Sequence, residues 1–97
     1  MTAAVNGQVW EVRVTVMPKA GVNDPEGEAI LGGLRSLGYD QVDRVRAGRM
    51  IVLRVRADSA EAAERAACSM ADRLLANIVI ESYAVEAEQV FDNGSGQ

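Results

Sequence analysis

The chain has 97 residues, enough for one domain with a modest core and too few for two. Apolar residues make up 48% but aromatics only 4%, so the core is thin and a partner chain has apolar surface left to cover. The formal charge of −4 argues against a general nucleic-acid binder. One cysteine and no histidine leave no internal disulfide, no thiolate or mixed thiolate–imidazole zinc site, and no Ser-His-Asp or Cys-His nucleophile within one chain.

Residues 1–8 carry no basic start and no long apolar run, which gives no reason to expect a signal peptide, and no stretch approaches the ~18 apolar residues of a membrane span. A cytoplasmic protein is the expectation, with flexible tails at 1–8 and 89–97 around a single domain at 9–88. Residues 9–16 (VWEVRVTV) alternate, with Trp10, Val12, Val14 and Val16 on one face, as in a half-buried strand. The loop MPKAGVNDPEG follows and holds both prolines of the chain. Asp24 suits the cap of the next helix and Pro25 its first position, where a missing N–H costs nothing. Ile30, Leu34 and Leu37 recur at helical spacing, and Gly38 supplies a left-handed stop. The Gly32-Gly33 pair inside this helix costs about 1 kcal/mol per glycine relative to alanine, a cost that close packing on a sheet would explain.

QVDRVRAG and RMIVLRVRA read as two strands of a hairpin turning at Ala47-Gly48-Arg49. Asp58 and Glu61 have capping-box spacing and open a second helix, with Ala63, Ala67, Met70, Ala71 and Leu74 as its buried stripe and Cys68 an inert thiol within it. The segment LANIVIE leads to a last strand, in which Tyr83, Val85 and Ala87 share a face. The order β-α-β-β-α-β predicts an α+β two-layer sandwich, with two helices on one face of an antiparallel sheet. Its charge is divided. Arg44, Arg46, Arg49, Arg54 and Arg56 lie in 42–57 against Asp43 alone, whereas 81–97 holds Glu81, Glu86, Glu88 and Asp92 with no base. Two readings stand: solvated strand faces that cancel in space, or a basic hairpin facing an acidic partner.

The loop is stiffer than a crossover requires. A helix cap explains Asp24 and Pro25 but not Pro18-Lys19 or Gly21-Val22. A phosphate cradle is disfavoured because Asp24, Glu26 and Glu28 crowd the helix start with negative charge and no GxxxxGK[ST] pattern is present. A preformed docking surface fits, since a fixed loop loses less entropy on binding.

The loop PKAGVNDPEG, the following SLGY, the VRAGR turn and LLANIVIESY, in that order and spacing across residues 9–88, resemble the PurS family, the small subunit of bacterial phosphoribosylformylglycinamidine synthase. The chain departs from the family at Ile78, where proline is common, and at Gly32-Gly33. The resemblance implies a non-catalytic homodimeric subunit of a purine biosynthetic amidotransferase. It would bridge a glutaminase and an ATP- and Mg-dependent synthetase and support ammonia transfer, with no cofactor, metal or catalytic residue of its own. The partner-binding residues it suggests are Pro18, Lys19, Gly21, Asp24, Pro25 and Gly27 in the loop, Arg46, Gly48 and Arg49 at the turn, and Asn77. The alternative from fold analogy is a ligand-sensing regulatory module of ferredoxin-like type. RNA binding on the sheet would need exposed aromatics, and Trp10 and Tyr83 are expected to point inward.

Overall fold

The computed structural model describes residues 7–91. Its elements are β1 (Gln8–Pro18), α1 (Pro25–Ser36), β2 (Arg49–Ala57), α2 (Ala60–Met70) and β3 (Glu81–Gln89), with a π-helical turn at Ala71–Leu75 closing α2. The architecture is α+β. The sheet is antiparallel in the order β2-β1-β3, so the most strictly alternating segment of the sequence lies at its centre. Register places Val14 opposite Ile51 on one side and Val85 on the other, and Val12 opposite Leu53 and Ala87. Val12, Val14 and Val16 are fully buried beneath Ala63, Ala67 and Ala71 of α2 and its π turn. Trp10 and Tyr83 flank this core, half-buried on its face. The alanines allow the helix to lie close on the sheet, and the core is as thin as the composition predicted. The tails expected at 1–8 and 89–97 lie mostly outside the described residues, but Gln8 and Gln89 are strand residues whose side chains hydrogen-bond at 2.8 Å.

Four expectations are corrected. Of the two helices, only α2 covers the sheet, and α1 makes no comparable contact with any strand. Ile30 is 42% and Leu37 75% exposed, and a side chain at Gly32 or Gly33 would meet nothing within 4 Å, so sheet packing does not explain those glycines. Residues 42–48 form no hairpin with β2. They run into it as an irregular arm with no sheet partner among the described residues, and β2 pairs there only with β1. The cap of α2 is Ser59 rather than Asp58, its hydroxyl accepting from the Ala62 N–H at 3.1 Å. Met70 is 39% exposed, on the flank of the Ala63-Ala67-Ala71 stripe, and Leu74 is 82% exposed because the wider π turn, closed by the Ala76 N–H on the Ala71 carbonyl, shifts the helical phase and turns Leu75 inward instead.

The signals at the ends of α1 hold. Asp24 caps it, Pro25 opens it, and Gly38 (φ 99°) ends it, with the Tyr39 N–H returning to the Leu34 carbonyl.

Candidate functional site

One end of the sheet gathers three segments distant in sequence: the stiff loop 18–24, the arm 44–48 and the turn 77–80. The loop leaves β1 at Pro18, and its Lys19 N–H donates to the Ile80 carbonyl at 2.9 Å, tying loop to turn. The Val22 N–H closes back on the Lys19 carbonyl at 3.1 Å, and Gly21 (φ 83°) adopts the left-handed backbone that this tight reversal requires. Much of the loop's stiffness therefore has a local cause, in contacts that its restricted residues make with the turn and with one another.

Asp24 is the joint of the site. One carboxylate oxygen accepts from the Gly27 N–H at 3.0 Å, capping α1, and the other accepts from the Ala47 N–H at 2.9 Å, fixing the arm. The bond from Ala47 first, and that from Gly27 second, hold the Asp24 carboxyl below the usual carboxylate range. Gly27 is buried, and the Val45 carbonyl would lie 2.6 Å from any Cβ placed there. A Cβ at Gly48 would strike the Val16 carbonyl and the Met17 sulfur. The Arg46 guanidinium donates to the Pro18 carbonyl. Asp24, Gly27, Gly48 and Arg46 therefore fix the shape of the surface from within.

Arg49 also turns to the protein. It pairs with both Glu81 carboxylate oxygens, at 2.9 and 3.2 Å, and donates to the Leu75 carbonyl at 2.6 Å. Glu81 in turn accepts from the Asn77 N–H at 2.8 Å. The Arg49 bond, then the Asn77 bond, lower the Glu81 carboxyl, and the same pairing raises Arg49. Asn77 shapes its turn twice more, its side-chain oxygen accepting from the Val79 N–H and its carbonyl from the N–H groups of Ile80 and Glu81. This asparagine sets the turn at a place where Ile78 offers no proline rigidity.

What these contacts leave facing solvent is a cationic cleft beside an apolar ridge. The cleft, about 440 Å³ between loop and arm, is lined by Lys19, Arg44, Arg46, Asp24 and Glu28. A second hollow of about 430 Å³, on the other side of the loop, is lined by Pro18, Val22, Pro25, Gly48, Arg49 and Ile80. Ile78, Val79 and Ile80 are 48%, 78% and 42% exposed. Sequence reasoning places Arg44 in the basic segment 42–57 without singling it out as a partner-binding residue, and it misses the ridge, because three consecutive apolar residues read as a helix end. No group of histidine, cysteine, aspartate and glutamate side chains that could hold a metal occurs among the described residues, and no helix among them is long and apolar enough to cross a membrane. Tyr83 lies at the core rather than in the site. Its hydroxyl donates to Asp72 at 2.7 Å and sits 3.2 Å from the Cys68 carbonyl oxygen, and the Asp72 bond, helped by burial, pushes the phenol up to about 12.

A family model for PurS, phosphoribosylformylglycinamidine (FGAM) synthase, matches residues 11–89. The PurS subunit of that synthase from Synechocystis is 42% identical over 77 residues, 79% of this chain and 77% of the relative. Among solved structures, PurS of Methanocaldococcus jannaschii superposes with a TM-score of 0.76 at 30% identity, covering 84% of this chain and 99% of that one. A chain from the PurLQS structure of Thermotoga maritima superposes at 0.75 and 31% identity, covering 82% and 98%.

Proposed function

The chain belongs to the PurS family, the PurS subunit of FGAM synthase in purine biosynthesis, and from that premise we propose that it acts there by docking rather than by chemistry, joining the glutaminase and synthetase subunits of the enzyme. The observation that carries this is the sheet end, where loop, arm and turn are locked by internal hydrogen bonds into a surface that offers charge and apolar area but no paired nucleophile and base. Such a preformed surface limits the entropy lost on association. Supporting ammonia transfer between the two partners is part of the same reading, with ATP and Mg handled by the synthetase and the assembly working in the cytoplasm.

A homodimer is part of the proposal as well. The apolar side of α1 lies off its own sheet, β2 has an open edge, and Met50 and Val52 on the outer sheet face are 57% and 53% exposed. A second copy is suited to cover such surface. Light scattering is expected to give a dimer or larger species at micromolar concentration, and a stable monomer would contradict it.

The test of function is reconstitution. Adding this chain to the purified synthetase and glutaminase subunits of its own organism is expected to restore glutamine-dependent amidine synthesis, while the chain alone turns over neither glutamine nor ATP. Unchanged glutamine-dependent activity with and without the chain would refute the reading.

A further inference from the structure

We infer that the cleft between loop and arm is the seat for an acidic segment of one of the two larger subunits, with Lys19 and Arg44 as the residues that recognise it. The inference rests on the functional reading above and adds the chemistry of the partner.

Three cations and two carboxylates line the cleft, yet they are not equally free. Asp24 has both oxygens engaged by backbone N–H groups of Gly27 and Ala47. Arg46 is anchored on the Pro18 carbonyl and shapes the wall. Lys19 and Arg44 make no ion pair among the described residues, whereas Arg13 and Arg49 do. Two unpaired cations thus share one concavity on a chain whose formal charge is −4. Glu28 is the one carboxylate in the cleft with no hydrogen-bond donor among the described residues, and it opposes an incoming anion.

Three features favour an acidic protein segment over a free oxyanion or a nucleic acid. Lys19, Arg44 and Arg46 are all exposed, so water competes fully for a small anion. The loop forming one wall also borders the second hollow, where Val22 and Ile80 offer apolar contact, and a cation beside an apolar anchor is the chemistry of a protein interface. Finally, the cleft is too short and too isolated on an acidic chain to track a nucleic-acid backbone.

The experiment measures association of the intact chain with the purified synthetase and glutaminase, glutamine and nucleotide present, by equilibrium binding at low and high salt. Lys19→Glu with Arg44→Glu is expected to weaken association by ~10-fold or more, and Lys19→Gln with Arg44→Gln by less. Glu28→Gln is expected to tighten it, an effect of opposite sign that a folding defect would not mimic. Wild-type affinity falls with salt more steeply than that of the reversed pair. Arg65→Glu with Arg73→Glu, the same charge change on α2 and its π turn, stays within about twofold. An Asp/Glu-rich peptide competes, and inorganic phosphate at the same concentration does not.

If the wild type assembles and the reversed pair binds equally well, the acidic-segment assignment is wrong and the PurS role stands. The assignment also falls if the Arg65/Arg73 control weakens binding as much, or if phosphate competes as well as the peptide. Should the reversed pair fail to fold, the neutral pair and Glu28→Gln decide the matter by the same criteria. A wild-type chain that neither joins the larger subunits nor restores glutamine-dependent synthesis would remove the functional reading itself, and the assignment with it.

Discussion

The α2-covered face of the sheet and the loop-arm-turn end are held by different physics. Beneath α2, three valines and three alanines are fully buried, and the stabilisation is spread over area, about 25 cal/mol per Å² of apolar surface removed from water. At the sheet end most side chains are exposed or half-buried, and order comes from a handful of point contacts: Asp24 to two N–H groups, Arg49 to Glu81, Arg46 to Pro18. No polar or charged residue is fully buried in the first region. The second keeps an ordered, exposed surface because its shape does not depend on burying that surface.

The comparison breaks most visibly at Val14. Val14→Asp puts an unpaired carboxylate at the centre of the sheet and is expected to cost about 4 kcal/mol or more, roughly the stability of so small a domain, leaving the chain unfolded in a urea titration. A cooperative transition near that of the wild type in this variant would show that the thin core is not what holds the fold.

Gly27→Ala lies at the border of the two regions. Alanine is the better helix former by about 1 kcal/mol, but its Cβ meets the Val45 carbonyl at 2.6 Å. A net loss of about 1–3 kcal/mol in urea unfolding is expected, as for overpacking. A gain in stability would mean that the arm moves away freely.

Asp24→Ala tests point contacts alone. The cap and the arm lose their shared acceptor, so the melting temperature is expected to fall by about 5 °C. Amide exchange should quicken at Gly27 and Ala47 while the amides of β1 stay protected. Acid gives the same result in the wild type. The Asp24 and Glu81 carboxyls are lowered in the folded state, so their contribution is complete above the ordinary carboxylate range. It is lost as pH falls through their depressed values. Exchange at Ala47 and Asn77 is therefore expected to quicken, relative to the intrinsic rate, below about pH 4. Equal loosening of β1 under the same conditions would erase the distinction between the regions.

The smallest effect is expected at Tyr83, where a hydrogen bond sits on the edge of the core. Tyr83→Phe keeps the ring and is expected to leave urea unfolding nearly unchanged. The variant should lose a tyrosinate transition at about pH 12, followed by absorbance. In a Tyr39→Phe background, which leaves Tyr83 the only tyrosine of the chain, a transition at the ordinary phenol value would show that the Asp72 bond does not persist in solution.

The sequence carried the sheet-and-helix half almost whole because strict alternation in β1 and the alanine repeat in α2 report burial directly. It carried the ends of α1 too, since Asp24, Pro25 and Gly38 act on their own backbone neighbours. The arm was not legible in the same way. VDRVRAG has strand composition, but among the described residues it pairs with no strand, and its Ala47 N–H goes to the Asp24 carboxylate instead. The candidate site was legible only in part. The expected residues do converge, but Asp24, Gly27, Arg46, Gly48 and Arg49 face the protein, and Arg44, read only as one of five arginines in a basic segment, is the residue that joins Lys19.

Local chemistry alone settled where β1, α1, α2 and β3 form, and that no histidine-dependent catalysis exists in this chain, because these follow from residue type and near-neighbour spacing. Tertiary structure decided the rest. Whether Arg49 is free depends on Glu81, 32 residues away. The second oxygen of Asp24 goes to Ala47, 23 residues on. The apolar side of α1 lies off the sheet although its helical period is sound. A period states that a face is apolar, and a charge states that a side chain needs water or a partner. Only the path of the chain through space says which of these it receives.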